Sequence, residues 1–393
     1  MNTHRLGILN PDGSLGADKP NMRFALFRPC FRRSFSTSYD RLAASYWTSD
    51  RVGWLTNGRD DPLSPDKPGV APLLRVLGIL NPDGSLGADK LKKYKQLTSM
   101  YSAIEHAVAD PLHDTRSQQP LRFVDLCSGS SSHIALLLAF AARHRWERPA
   151  HIIAVDADAA RVAKAEQRAA LLGFGAETLR YATSRVASLA AWQQLYPQAF
   201  PGHGSQPPHG VFALHACDTA TDEALHFGVR SRSHALLVAP CCQAELAAAW
   251  KDLALRDEEG GPRLGRRPTD ERRSEARAAR GGGSVTAAAA AGASSFGLVH
   301  RQPNLRREVA SHITDALRLA LLRGQGYRVE VAEFVSAEHT PKNRLFTAIR
   351  HRDASYDAGG GGARGAAIAE YCELRDATGG CGITLGALLG ADP

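Results

Sequence analysis

The sequence predicts a three-layer α/β/α sandwich on a seven-stranded, mostly parallel sheet that ends in an antiparallel hairpin. Three observations predict it. Short apolar runs alternate with helical segments between Phe123 and Ala239, the pattern of parallel strands joined by right-handed crossovers. Two of those runs end in a carboxylate, Asp125 and Asp156, at the ends of strands where such sheets hold ligands. After a long helical segment, two more apolar runs are separated only by Ser336–Arg344, a connection short enough for antiparallel pairing.

The elements follow in order. Leu91, Tyr94, Leu97, Tyr101, Ile104 and Val108 recur three or four apart and predict a helix from Lys90 to Val108. Lys90, Lys92, Lys93 and Lys95 start that helix and read as a solvated basic face, with a substrate-contacting patch as the alternative. Phe123–Cys127 reads as a buried strand, Ile134–Arg143 as a helix, His151–Val155 as the next strand and Ala159–Leu172 as the next helix. Leu179–Ala182, Val211–His215 and Ala235–Ala239 are three further strands. Residues 254–297 combine an Arg/Glu-rich stretch with GGG and polyalanine, a composition that cannot build a core and reads as a disordered insertion. A helix resumes near Leu305 and runs to about Arg323, ended by Gly324 and Gly326. Tyr327–Val335 and Leu345–Arg350 are the hairpin strands. Residues 351–366 read as a Gly-rich linker and Ala367–Leu389 as a short helical tail.

The catalytic domain is therefore expected over residues 77–350, preceded by a flexible region 1–76 and followed by residues 351–393. In the first region LGILNPDGSLGADK runs from Leu6 to Lys19 and recurs unchanged from Leu77 to Lys90. Only the second copy continues into a helix and is read as structural. The stretch from Met22 to Ser38 carries Arg23, Arg28, Arg32 and Arg33 among apolar residues and no acid, which fits a mitochondrial or chloroplast transit peptide. The alternative is a disordered tail on a cytoplasmic protein. Residues 46–75 carry Pro, Gly and Asp and read as linker.

Composition narrows the class. Hydrophobic residues make up 44% and charged residues 22% of the 393, enough for a sizeable core. No apolar run reaches the length of a membrane span. The seven cysteines share no repeated spacing, which argues against a disulfide framework. Six of the eight excess positive charges lie in residues 1–76 and 254–297, so the net charge fits basic appendages on an ordinary enzyme as well as it fits RNA binding.

Three segments carry chemistry. In Phe123-Val-Asp125-Leu-Cys127-Ser-Gly129-Ser-Ser-Ser132-His133 a strand meets a helix through small residues, which let a ligand approach backbone N–H groups. A dinucleotide site would carry G-x-G-x-x-G here. This loop has one glycine, and Asp125 would repel pyrophosphate but suit a ligand with a cationic amino group. In His151-Ile-Ile-Ala-Val155-Asp156 the second strand ends in an acid 31 residues after Asp125, placed to hydrogen-bond ribose hydroxyls. Asp158 reads as a helix cap. The third segment pairs His215-Ala-Cys217-Asp218-Thr219-Ala-Thr221-Asp222 with Pro240-Cys241-Cys242-Gln243 at two strand ends.

"His-Ala-Cys-Asp-x-Ala-Thr-Asp" followed by "Pro-Cys-Cys" resembles a branch of the Rossmann-like class I S-adenosylmethionine-dependent methyltransferases. That branch includes bacterial methyltransferase-domain proteins, the glutathione-transferase-C-terminal-domain-containing proteins and acceptor-stem tRNA 2′-O-methyltransferases. Asp89–Gln96 resembles the helix before its first strand, and Ser336–Asn343 resembles its final hairpin. The resemblance implies S-adenosylmethionine as cofactor and RNA, particularly tRNA, as methyl acceptor. It implies that Asp125, Cys127 and Gly129 line the methionine end, Asp156 holds the ribose, and Asp218 is the catalytic residue beside the acceptor. Where this chain has Cys127 and Ser131 the family carries glycine, which implies weakened cofactor binding. A methyltransferase acting on protein or small molecules and a non-catalytic scaffold are the alternatives. No metal is expected: zinc on His215, Cys217, Cys241 and Cys242 would match no familiar ligand spacing. A Cys241 nucleophile is also disfavoured. His339, beside Glu338 and Lys342, is a structural loop residue or a general base.

Overall fold

The computed structural model describes residues 33–114, 117, 119–130, 133–146, 148–186, 206–214, 216–260, 296–333, 344–351 and 362–392. The first repeat copy, most of the transit-peptide-like stretch, Ser131, His215, the His339 loop and residues 261–295 of the insertion lie outside them.

One seven-stranded sheet organises the chain, in the order β3-β2-β1-β4-β5-β7-β6. The strands are β1 (Leu121–Leu126), β2 (Ala150–Asp156), β3 (Leu179–Thr183), β4 (Gly210–Ala213), β5 (Ala235–Val238), β6 (Tyr327–Glu333) and β7 (Arg344–Arg350). The first five pair in parallel, and β7 runs antiparallel to both β5 and β6. β1 is buried along its whole length, as a central strand covered on both faces must be. The chain order reverses across β1: its neighbours are β2 and β4. Ligands in such sheets bind at that reversal, outside the carboxyl ends of the strands.

The main helices are α1 (Arg33–Tyr46), α2 (Ser49–Thr56), α3 (Val70–Val76), α4 (Leu91–Ala107), α5 (His133–His144), α6 (Ala159–Leu171), α7 (Thr219–Arg230), α8 (Glu245–Gly260), α9 (Pro303–Gly324), α10 (Ala363–Ala377) and α11 (Thr384–Leu389). Two cores lie on the two faces of the sheet. One joins Phe123, Phe212 and Leu237 to apolar residues of α1–α6. The other joins Val124, Val211 and Leu236 to residues of α7–α11. The alternation of Phe123 and Val124 between cores is the strand's period of two.

Described residues on both sides of 77–350 also pack into the cores. Residues 46–75 are not a linker: Leu55, Leu63, Val70, Leu73 and Leu74 are buried in the first core. Proline and aspartate there make turns between short helices, and the apolar residues between them pack. The Asp61 carboxylate receives the Leu63 amide and the Tyr94 hydroxyl at 2.8 and 2.7 Å, so the segment is bolted to α4. The second repeat copy folds under α1, where Trp47 Nε1 donates to the Gly84 carbonyl at 2.9 Å. Gly84 has φ +84° and its α-carbon side faces Ala43 closely, a position suited to glycine. The C-terminal segment is helical and packs as well. Tyr371 and Leu385 are fully buried in the second core, and Glu245 of α8 accepts from the Thr384 hydroxyl and amide at the start of α11 (2.6 and 3.1 Å).

Leu74→Ala is expected to lower the unfolding free energy by about 2–5 kcal/mol in urea denaturation, the cost of emptying a core leucine site. An unchanged midpoint would mean that residues 46–76 do not pack as described.

Candidate functional site

The carboxyl ends of β1, β2, β4 and β5 carry the predicted site residues, in two groups. The first surrounds the β1–α5 turn. Asp125 is buried and accepts from the Ala135 amide of α5 at 3.2 Å. Burial, assisted by the neighbouring Asp156 charge, pushes its carboxyl up to about 8, since a desolvated carboxylate favours its neutral form. Among the described residues, no cation figures among the groups acting on it. Cys127 follows in the left-handed region, φ +55°, which costs a side-chain-bearing residue on the order of 1–2 kcal/mol. That is the conformation a glycine adopts freely, and it stands where the family resemblance expects one. Burial pushes the Cys127 thiol up to about 12, so it is held as a thiol. Gly129 also has positive φ, and no described residue lies within 4 Å of where its β-carbon would be, so among the described residues its backbone is open to an approaching ligand.

Asp156 braces this turn. One carboxylate oxygen accepts from the Gly129 amide at 2.9 Å and the other from Asp158 at 3.0 Å. The Ser128 amide donates to the Val155 carbonyl at 2.9 Å, and Arg168 of α6 donates to the Ser130 carbonyl at 2.6 Å. Asp158 caps α6, accepting from Ala160 and Arg161 at 2.8 and 3.3 Å. The Ser128 hydroxyl is buried without a hydrogen-bond partner among the described residues. An uncompensated buried carboxyl, an unpartnered hydroxyl and an open glycine backbone fit a polar ligand with a cationic end, the chemistry of the methionine portion of S-adenosylmethionine.

The second group lies at the ends of β4 and β5. Asp218 adopts φ +54°, ψ −122°, a strained geometry held by hydrogen bonds from several sides. Its amide donates to the Cys242 carbonyl at 2.9 Å, and its carboxylate accepts from the Ala244 and Glu245 amides at 2.8 and 3.0 Å. Its carbonyl accepts from Arg318 at 3.1 Å. The carboxylate expected beside the methyl acceptor thus caps the N-terminus of α8, a stabilising place for an acid. Cys217 and Cys241 bring their sulfurs to 2.8 Å, and Cys241 and Cys242 to 3.8 Å. Burial and its two thiol neighbours push Cys217 up to about 12.

Behind this group is a buried ion network that sequence reasoning missed. Arg318 of α9 is almost fully buried and donates to Asp222 of α7 at 2.6 Å. Asp315 bonds Gln243 at 3.0 Å and pairs with Arg344 of β7. Burial raises the Asp222 carboxyl to about 6, with Arg318 working against the shift. The available signal was Asp315 and Arg318 set among the apolar residues Leu317, Leu321 and Leu322 of a long amphipathic helix.

Residues 92–249 match the family model described as a methyltransferase domain. No curated protein is significantly similar to the chain. Among solved structures it is similar to magnesium protoporphyrin IX methyltransferase from Synechocystis with bound S-adenosylhomocysteine, at 14% identity and a TM-score of 0.32 over 72% of this chain and 94% of that one. It is also similar to an O-methyltransferase family protein from Burkholderia thailandensis, at 12% identity and a TM-score of 0.28 over 67% and 60% of the two chains. A third is the CurJ carbon methyltransferase, at 12% identity and a TM-score of 0.33 over 77% and 70%. Likenesses this distant assign no substrate. The matched segment spans the β1 turn and the ends of β4 and β5, and makes them part of a methyltransferase domain.

Two outcomes test these geometries. Arg318→Met is expected to cost about 3–5 kcal/mol in chemical denaturation, because it strands Asp222 as a buried charge, and Arg318→Met with Asp222→Leu should recover most of it. For Asp125 the folded carboxyl lies near 8 and the unfolded one near 3.9. The folded state holds the extra proton, so stability falls as pH rises from about 4 to about 8. The thermal midpoint of Asp125→Asn, measured against wild type, should gain relative to it over that window; a constant difference would remove the shifted carboxyl.

Proposed function

We propose that the chain transfers a methyl group from S-adenosylmethionine to RNA, with tRNA as the first candidate. The observation that supports the cofactor placement is Asp125: a buried carboxyl at the sheet's reversal point on which, among the described residues, no cation acts.

In this reading Asp125 receives the ammonium of the methionine portion, which favours its charged form and lowers its proton affinity. The Cys127–Gly129 backbone lines the same end, and the Ser128 hydroxyl gains the partner it lacks. Asp156 keeps the turn in shape through Gly129 while its remaining lone pairs serve the ribose hydroxyls. When bound, the cofactor supplies a sulfonium-activated methyl group, and the protein's main contribution to such a reaction is alignment. Asp218 then acts at the acceptor side by holding the β4 and β5 loops in register, with its half-buried carboxylate on the α8 cap.

The RNA reading is supported by the resemblance of the Asp218 and Pro240-Cys241-Cys242 segments to the tRNA-modifying branch. It is supported too by Lys92, Lys93 and Lys95, which stand exposed on α4 and offer cations to phosphate.

Calorimetric titration of S-adenosylmethionine into the full chain should show micromolar binding that tightens as pH rises towards 8 and is lost in Asp156→Ala. Incubation with labelled S-adenosylmethionine and total RNA should then put label into RNA. Label appearing in protein or small molecules would overturn the RNA acceptor, and absence of cofactor binding by the folded chain would overturn the enzyme reading.

A further inference from the structure

We propose that Cys217, Cys241 and Cys242 form a zinc site that ties the β4 and β5 loops together. Their three sulfurs lie within 4.8 Å of one another, and they come from two different strand ends. Zinc–thiolate bonds of about 2.3 Å in a tetrahedron put sulfurs roughly 3.8 Å apart. The Cys241–Cys242 pair already stands at 3.8 Å, while the Cys217–Cys241 pair at 2.8 Å would open by about 1 Å to share an ion. The latter separation is also well beyond the roughly 2.05 Å of a disulfide bond.

The scaffold around the thiols is rigid independently of any ion. The Asp218 amide holds the Cys242 carbonyl, the Asp218 carboxylate holds the two residues that begin α8, and Arg318 holds the Asp218 carbonyl. Asp218 itself, next to Cys217, sits in a strained backbone conformation. Such strain persists where surrounding structure over-determines it, commonly at functional sites. Cys217 is exposed and Cys241 and Cys242 are half-buried, so an ion can enter from solvent. Each thiol gives its proton to solvent as its sulfur takes the metal. Three protein ligands leave the fourth position for water or another donor, the pattern of an open zinc site.

The test uses the full chain, fully reduced and freed of metal, titrated with Co(II). The expected result is thiolate-to-cobalt charge-transfer absorption with intense tetrahedral visible bands, saturating at one ion per chain and displaced by Zn(II). Cys217→Ser with Cys241→Ser should abolish the bands with circular dichroism unchanged, whereas Cys372→Ser with Cys381→Ser should keep them. Absence of the charge-transfer bands in the reduced wild-type protein overturns the site, and that result needs no variant to fold. Bands that survive Cys217→Ser with Cys241→Ser overturn it as well. So does purified protein carrying a Cys217–Cys241 disulfide whose reduced form takes no metal. Cobalt absorption is read without S-adenosylmethionine, so its outcome is separate from that of cofactor binding.

Discussion

A single buried guanidinium sets much of the geometry at the ends of β4 and β5. Arg318 reaches from α9 to the Asp222 carboxylate of α7 and to the Asp218 carbonyl in the loop between β4 and α7. Burying a guanidinium is costly unless it is paired and hydrogen-bonded. The pairing here constrains α7, α9 and the Asp218 turn at once. Asp315, on the same helix, passes the constraint on to Gln243 after β5 and to Arg344 on β7. The loops that carry Cys217, Cys241 and Cys242 are therefore held by charge from behind and by the Asp218 cap from beside.

The cofactor side follows a different logic. There the backbone does the shaping, through positive φ at Cys127 and Gly129, and one carboxylate, Asp156, holds the turn against the neighbouring strand. Asp125 is left as a buried acid with one backbone donor. Two acids at adjacent strand ends repel each other, and the repulsion raises Asp125 further. A ligand bearing a positive charge resolves that conflict, which is why this arrangement suits S-adenosylmethionine and not pyrophosphate. The same pair of acids serves two purposes, one structural and one electrostatic.

The parallel strands and the hairpin were legible because buried runs bounded by small residues leave a strong one-dimensional signal. Asp125 and Asp156 were legible as strand-end acids and Asp158 as a helix cap, while the Gly129 amide that Asp156 holds was not. Asp218 was legible as a strand-end acid, while its bond to the α8 amides was not, since those amides lie 26 and 27 residues further on. The packing of residues 46–76 was hidden because Pro, Gly and Asp interrupt its apolar residues, yet scattered residues such as Leu55, Leu63 and Leu74 meet in the first core. The C-terminal helices were visible as helices, but not as part of the core.

By itself the sequence determined the fold class and the acids at the ends of the first two strands, Asp125 and Asp156, because these follow from hydrophobic period and local turn chemistry. Only the tertiary structure decided which charges are buried together and which thiols meet. Arg318 and Asp222 are 96 residues apart and Cys217 and Cys241 are 24 apart. Pairings at such separations are set by how helices and loops pack on the sheet, and no local pattern in the chain records them.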